Sequence, residues 1–249
     1  RSWSLAKTAP CGVSWPVMRV LPAPCCVPPA QSKSCAVSRK PAVLNVPLLR
    51  DSAQVTQLDR YTMHIADAVD ALPKEAAGQK VLNLLAYTCA FSVAALQGGA
   101  RHVLNIDMAA GAIAIGQHNH ALNGLKERAS FMSHDIFKTW GKITRGGAYG
   151  LVIVDPPSYQ KGSFVAGKDY PRLLRRLNDL VAPGGHALLC LNAPEIGSAF
   201  LQDQVREHAP ELVFEQRLPN PPVFADIDPE RALKVLVYRA PELPISTPI

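Results

Sequence analysis

The sequence predicts an α/β domain built on a doubly wound, mostly parallel seven-stranded sheet that ends in an antiparallel hairpin. Three observations carry this prediction. From residue 80 onward, short apolar runs alternate with stretches of helical periodicity, the pattern of strands buried on both faces and joined by crossover helices. Four of these runs end on Asp107, Asp135, Asp155 and Asn192, and the carboxyl ends of the strands are where an open parallel sheet binds its ligands. The last two apolar runs have no helical repeat between them, so they pair antiparallel, since a parallel return needs a crossover, usually a helix.

Taken in chain order, the first 50 residues, centred on "LPAPCCVPPAQSKSC", follow neither the strand nor the helix period and are rich in Pro, Ser and Cys. Residues 1–60 are therefore read as an irregular segment that need not be native to the fold. A helical lead-in over 61–78, with an amphipathic stretch at 63–72, precedes the domain itself at 79–240, and 241–249 form a tail. The strand candidates are "KVLNLLA" (80–86), "HVLNID" (102–107), "ASFMSHD" (129–135), "GLVIVD" (150–155) and "HALLCLN" (186–192). The hairpin takes "LVFEQRLP" (212–219) and "ALKVLVYRA" (232–240). Gly98 and Gly99 close the first helix. In 108–122, Met108, Ala112, Ile115 and Leu122 mark an apolar face and Asn123-Gly124 a stop. In 170–181, Leu173, Leu174, Leu177, Leu180 and Val181 form a stripe opposite Arg172, Arg175, Arg176 and Asp179, and "APGG" ends that helix.

Composition excludes several classes. The net charge of +6 divides into 9 Lys+Arg against 5 Asp+Glu in residues 1–78 and 17 against 15 in residues 79–249, so +4 and +2. A near-neutral main domain makes global charge a poor argument for nucleic acid. Four of the six cysteines lie in the first 35 residues without a C-x-x-C pair or a His at zinc-ligand spacing, so no metal site is expected. Cys89 and Cys190 fall in apolar sequence, as free thiols do in a reducing cytosol, and the expected location is cytoplasmic. No apolar run reaches the ~18 residues of a membrane span, and "WPVMRVLPAPCCVPPA" is broken by Arg19 and five prolines, which argues against a signal peptide. His118 and His120, two apart on a helix, point away from each other and are read as surface residues.

The strand ends hold the chemistry. Asp107 follows the first turn at about the 20-residue spacing that lets a carboxylate accept from both hydroxyls of an adenosine ribose; capping the following helix is its other reading. Asp135 could take the adenine amino group while Ile136 and Phe137 cover the ring, or could cap a helix over 136–142. The first turn, "AYTCAFS", has no glycine and no G-x-G-x-x-G, which argues against a dinucleotide. In "VDPPSYQKGSF" the two prolines hold Asp155 extended at its strand end and remove two N–H donors. The carboxylate can then accept from a substrate amino group, with Tyr159 available to stack on a planar base. A purely structural turn is the alternative.

"VLNLLAYTCAFSVAAL", "NIDMA", "HDIF", "VDPPSYQKGSF" and "DYPRLL" resemble class I S-adenosylmethionine-dependent methyltransferases, with their Rossmann-like fold. More narrowly they resemble the branch containing large-subunit ribosomal RNA methyltransferases that modify cytosine C5 or guanine. The resemblance covers about residues 79–240. It implies S-adenosyl-L-methionine as cofactor, with the turn Ala86, Tyr87, Thr88, Cys89 and Phe91 around its methionine part. It further implies Asp107 and Met108 at the ribose, Asp135, Ile136 and Phe137 at the adenine, and Asp155, Pro156, Pro157 and Tyr159 between methyl group and acceptor. Cys89 stands where many relatives have Gly, so either the turn does without a positive φ or this branch tolerates Cys there. Residues 51–78 lack the glycine- and arginine-containing stretch that covers the cofactor in relatives.

Carbon methylation at cytosine C5 needs a thiolate to add to the ring first, and the relatives that perform it carry that Cys just after the fifth strand. Here Asn192 ends the strand and Cys190 lies two residues back, ~7 Å away, where core packing is its expected role. Transfer to nitrogen is therefore favoured. Lys161, Lys168, Arg172, Arg175 and Arg176, interleaved with Tyr159, Phe164 and Tyr170, suit a phosphate backbone and an unstacked base, although a solvated helix face has the same composition. The expectation is a methyltransferase acting on ribosomal RNA, with Tyr159, Lys161, Phe164, Lys168, Arg172 and Asn192 at the substrate. Methyl transfer to a small molecule or protein side chain, and an inert binding module that keeps the fold, are the competing readings.

Overall fold

A computed structural model of the chain describes residues 18–19, 43–44, 78–157, 164–220 and 227–242. Of the helical lead-in expected over 61–78, residues 61–77, with the amphipathic stretch at 63–72, lie outside the described residues. Within the segment read as irregular, Met18–Arg19 and Val43–Leu44 pair antiparallel. From Lys80 the chain runs β1 (Lys80–Leu84), α1 (Ala90–Gln97), β2 (His102–Asp107), α2 (Ala110–Leu122) and β3 (Ala129–Ser133). A 3₁₀ turn (Ile136–Lys138), α3 (Trp140–Arg145), β4 (Tyr149–Val154), α4 (Ala166–Leu180) and β5 (Val181–Leu191) follow. The chain then forms α5 (Ser198–His208), β6 (Val213–Leu218) and β7 (Lys234–Arg239).

The sheet order is β3-β2-β1-β4-β5-β7-β6. β3, β2, β1, β4 and β5 pair parallel, while β7 pairs antiparallel with both β5 and β6. The chain winds outward from β1 to β3 and then returns to β4, so the order switches between β1 and β4. That switch opens a crevice at the carboxyl ends of those two strands, and it puts the first turn beside Asp155.

Alternation along the strands sorts the core onto two faces. Leu82, Leu84, Val152, Val154, Leu189 and Leu191 pack with Leu173, Leu174 and Leu177 of α4 and Leu201 and Val205 of α5. Val81, Leu151, Ile153, Leu188 and Cys190 face the opposite way, against Phe91, Ala95 and Leu96 of α1. The predicted α4 stripe is fully buried, each leucine contributing about 2 kcal/mol. Asp169 caps α4 from within, its carboxylate accepting from Val165 N at 2.8 Å.

Three expectations need correction. β5 begins at Val181 rather than 186, because "APGG" makes an irregularity inside the strand rather than a loop before it: the β4–β5 register shifts between Tyr149 and Leu151. Glycine is required there, since a Cβ on Gly185 would sit 2.9 Å from Ala182 O and 3.0 Å from Gly150 O. The buried face of α2 is Ala112, Ile113, Gly116, Asn119 and His120, whereas Met108 and Leu122 are exposed; a sequence rich in Ala and Gly gave the wrong phase. His120, read as a surface residue, is fully buried.

His120 completes a buried polar chain that ties the first turn's supports together. Its Nδ1 lies 2.7 Å from Gly116 O, a carbonyl, so it donates there and Nε2 accepts from Ser92 Oγ at 2.8 Å. Ser92 Oγ accepts from Asn105 Nδ2 at 3.0 Å, and Asn105 Oδ1 from Asn83 Nδ2 at 3.0 Å. Burial lowers the pKa of His120, consistent with that neutral tautomer. The chain joins β1, β2, α1 and α2 by hydrogen bonds at the level where the strands run out toward the crevice.

Candidate functional site

The first turn is built on left-handed backbone. Leu85, Tyr87 and Cys89 have φ of 59°, 45° and 59°, conformations that disfavour L side chains by roughly 1–2 kcal/mol each. The sequence expectation left open whether Cys89 avoids a positive φ; it adopts one. Compensation comes from hydrogen bonds: Ala86 N donates to Ile106 O (3.0 Å), Cys89 N to Ala86 O (2.7 Å), and Asn119 Nδ2 to Thr88 O (3.1 Å). Ala86, Thr88, Cys89 and Phe91 are buried while Tyr87 is exposed. The turn therefore offers a neighbouring ligand its backbone and the Tyr87 ring.

Gly116 of α2 makes room for the Cys89 side chain. A Cβ there would lie 2.5 Å from Cys89 Sγ. Gly116→Ala is expected to destabilise the domain by about 1–3 kcal/mol through overpacking, and Cys89→Gly in the same chain is expected to restore most of it, because both the clash and the left-handed penalty vanish. Urea unfolding of the four proteins in this double-mutant cycle reads the coupling; additive effects would show that the two residues do not oppose each other.

Asp107 locks the turn from β2. Its Oδ2 accepts from Tyr87 N (2.9 Å) and its Oδ1 from Ala109 N (2.8 Å), so it braces the chain ahead of α2, whose N-cap is Ala109. Each carboxylate oxygen keeps a further acceptor position, which fits a vicinal diol. Met108 beside it is 57% exposed and open to a ligand.

Asp135 does act as a cap, with Oδ1 accepting from Phe137 N at 2.9 Å. The helix expected over 136–142 is instead a 3₁₀ turn followed by α3 from Trp140. Its other oxygen faces Lys138 Nζ at 3.7 Å and can still accept from an amino group. Ile136 is buried. Phe137 packs edge-on to Trp140, and the guanidinium of Arg172 sits 3.8 Å over its ring. Thus a residue expected at the substrate and one expected at the adenine touch each other.

Asp155 is the most perturbed acid of the crevice. The β4–β5 register pairs Val154 with Leu189, so the next residues, Asp155 and Cys190, are neighbours on the α1 side of the sheet. The Cys190 thiol hydrogen-bonds the Asp155 carboxyl, while Asp155 Oδ1 is buried with no hydrogen-bond partner. Burial pushes the Asp155 pKa up to about 7, against a smaller lowering by the Cys190 thiol. Burial, and then the charge of Asp155, pushes the Cys190 thiol well above its ordinary range, so it is a poor nucleophile. Tyr170 Oη donates to the Cys190 carbonyl.

Two residues expected among the RNA contacts do not fit that role. Phe164 is 2% exposed and stacks edge-on with the fully buried Tyr170; both are core, because an aromatic at the start of an amphipathic helix is drawn under it. Lys168 and Arg172 are exposed on α4, and Arg172 is paired with Asp169 at 2.9 Å. Tyr159 and Lys161 lie outside the described residues. Asn192, at the end of β5, is half-buried.

Sequence reasoning missed Lys234. It is fully buried and donates to the carbonyls of Ala193 (2.7 Å), Ile196 (2.8 Å) and Glu230 (2.8 Å), fastening the segment that follows Asn192. A lone Lys opening the apolar run "KVLVY" was the available signal. Glu230 fastens the far end of that segment, accepting from Ser198 N at 2.6 Å. That bond above all, then Arg217, holds its carboxyl down at about 2. Among the described residues no group of three His, Cys, Asp or Glu could hold a metal, and no helix is long and apolar enough to cross a membrane.

The chain has counterparts among known proteins. The model of a family described as S-adenosylmethionine-dependent methyltransferase matches residues 58–239. Ribosomal RNA large subunit methyltransferase I of Aeromonas hydrophila is 34% identical over 124 residues, 48% of this chain and 31% of that protein. Ribosomal RNA large subunit methyltransferase K/L of Psychrobacter sp. is 36% identical over 116 residues, 43% of this chain and 14% of that protein. The chain thus aligns with less than a third of the length of these curated relatives. A solved methyltransferase chain complexed with SAH superposes with a TM-score of 0.63 at 25% identity, covering 74% of this chain and 49% of that one. The family match takes in the first turn, Asp107, Asp135 and Asp155 together: the chain belongs to the S-adenosylmethionine-dependent methyltransferase family, whose cofactor is S-adenosylmethionine.

Proposed function

We propose that the chain transfers the methyl group of S-adenosylmethionine to a base nitrogen of ribosomal RNA in the cytoplasm. The relatives' names supply the substrate class. The observation that carries the acceptor preference is Asp155, a buried carboxyl with an unpartnered oxygen at the end of β4, together with Asn192 where a nucleophilic thiol would be required for carbon.

The bound cofactor supplies an electrophilic methyl group on its sulfonium. The backbone of residues 86–91, with Tyr87, holds the methionine part. Asp107 would accept from the ribose hydroxyls beside Met108, and Asp135 would accept from the adenine amino group, with Ile136 and Phe137 alongside. Pro156 and Pro157 keep Asp155 extended, and Tyr159 stacks on the acceptor base. Asp155 would accept the N–H of the acceptor, orient its nitrogen lone pair toward the methyl group and take its proton as the N–C bond forms and the methyl–sulfur bond breaks, leaving S-adenosylhomocysteine. Asn192 can hydrogen-bond a base edge without forming a covalent adduct. Lys161, Lys168 and Arg172 neutralise the backbone, Arg172 only in part because Asp169 holds it.

Incubation with cofactor labelled in its methyl group and unmodified bacterial large-subunit ribosomal RNA, followed by mapping of the label, tests this. Label on a ring or exocyclic nitrogen is expected. Label on cytosine C5 would overturn the nitrogen preference, and label on protein or small molecules alone would overturn the substrate.

A further inference from the structure

We propose that the pocket on α3 lined by His134, Lys138, Thr139, Gly141, Lys142 and Arg145 binds a phosphodiester of the RNA backbone, remote from the transferring methyl group. The inference deepens the RNA reading above and rests on it. The pocket has a volume of about 240 Å³. It is smaller than the ~300–1,000 Å³ sites that take drug-sized ligands. Four of its six lining residues are Lys, Arg or His.

These groups converge. Lys142 Nζ donates to His134 Nε2 at 3.4 Å, which fixes the ammonium at the pocket and leaves its two other hydrogens for an oxygen ligand. Arg145 is tethered to its own helix, Nε donating to Gly141 O at 2.9 Å, which leaves the outer guanidinium nitrogens to donate elsewhere. Among the described residues the cluster's ion pair is Lys138 with Asp135, 3.7 Å apart with the lysine 83% exposed. Such a pair is screened and leaves most of the charge uncompensated.

Position separates this pocket from the cofactor and joins it to the substrate. Asp135, Ile136 and Phe137, which would meet the adenine, do not line it. β3, the strand before α3, stands three places from β4 in the sheet, ~14 Å at the usual strand spacing. A phosphate held here therefore belongs to a nucleotide other than the one at Asp155. Arg172 of α4 sits over the ring of Phe137, the neighbour of Lys138 in the 3₁₀ turn, so the basic residues of α4 lead toward Lys138 and, on α3, Lys142 and Arg145.

Gly141 provides the test, because a Cβ added there meets nothing within 4 Å and an acid in the first turn of a helix suits its dipole. Gly141→Asp places a carboxylate at the pocket without steric cost, and Lys142→Ala/Arg145→Ala removes two charges. Binding of the full chain to a bacterial large-subunit ribosomal RNA transcript is measured across a salt series, with Arg206→Ala, an exposed charge on α5, as control. Both pocket variants are expected to weaken binding about tenfold and to flatten the log–log salt slope by about 1, near the ~0.7–0.9 per phosphate contact. The control slope and the affinity for S-adenosylhomocysteine should not change. A steep wild-type slope that the pocket variants leave intact overturns the pocket assignment alone. Wild-type binding that is absent or insensitive to salt overturns the RNA reading, and the pocket assignment with it. Inorganic phosphate bound tightly by wild type, with RNA binding untouched by either variant, assigns the pocket to a free anion instead.

Discussion

Asp155→Asn is expected to lower methyl transfer at least about 100-fold, the range of a lost general base, while making the folded protein more stable above pH 7. The sign follows from burial. The carboxyl is pushed up to about 7 in the fold, from the 3.8 of an ordinary aspartate. Between those values the folded chain holds a proton that the unfolded chain has released, so stability falls as pH rises from about 4 through about 7 and then levels. A shift of about 3 units corresponds to at most about 4 kcal/mol. Asparagine has the same shape and no titration, so the variant's urea midpoint should lose this decline between pH 5 and pH 8. A midpoint that declines equally in both proteins would remove the buried-carboxylate account. The thiol neighbour predicts the activity profile. Transfer that needs the ionised form rises with pH through about 7, and Cys190→Ala, which removes a hydrogen bond to that form, should move the rise to higher pH. Cys190→Ser should leave it near wild type. A Cys190→Ala profile that coincides with wild type would restrict Cys190 to packing.

Why was Asp155 legible in the sequence and its partner not? The prolines after Asp155 act locally, fixing φ and forcing an extended residue before them, so the strand end could be read from five letters. Cys190 becomes its neighbour only through the β4–β5 register, and register depends on where "APGG" bends the strand. The same division runs through the fold. Strand runs, the α4 stripe and the hairpin follow from local period. The phase of α2 does not, because its buried face includes Gly116, Asn119 and His120, polar or featureless letters whose burial is decided by Cys89 and Ser92 across the interface. Phe164 erred in the opposite sense: an aromatic beside basic residues suggested a base platform, yet Tyr170, six residues on, draws it into the core.

Lys234→Met is the second large effect. The ammonium is fully buried and satisfies three carbonyls, of Ala193, Ile196 and Glu230, at 2.7–2.8 Å. Methionine keeps the length of the stem but donates nothing, so the buried Ala193 carbonyl loses its donor outright, while the partly exposed Ile196 and Glu230 carbonyls turn to water. Hydrogen bonds to a charged group contribute about 1.5–3 kcal/mol each, and losses that share one donor are not additive, so the expected cost is about 3–5 kcal/mol. For a domain of this size that lowers the melting temperature by about 10 °C. Lys234→Arg should rescue little, because a planar fork cannot point at three carbonyls gathered around a single ammonium. Two of the three acceptors lie within four residues of Asn192, so the damage should reach the site. Amide exchange is expected to quicken at residues 193–197, and the activity of the folded fraction should fall through KM for RNA more than through affinity for S-adenosylhomocysteine, since Asp107 and Asp135 stand on the far side of β1 and β4. Unchanged exchange at 193–197 with a lowered melting point would confine Lys234 to general stability. An unchanged melting point would show instead that the three carbonyls find other donors.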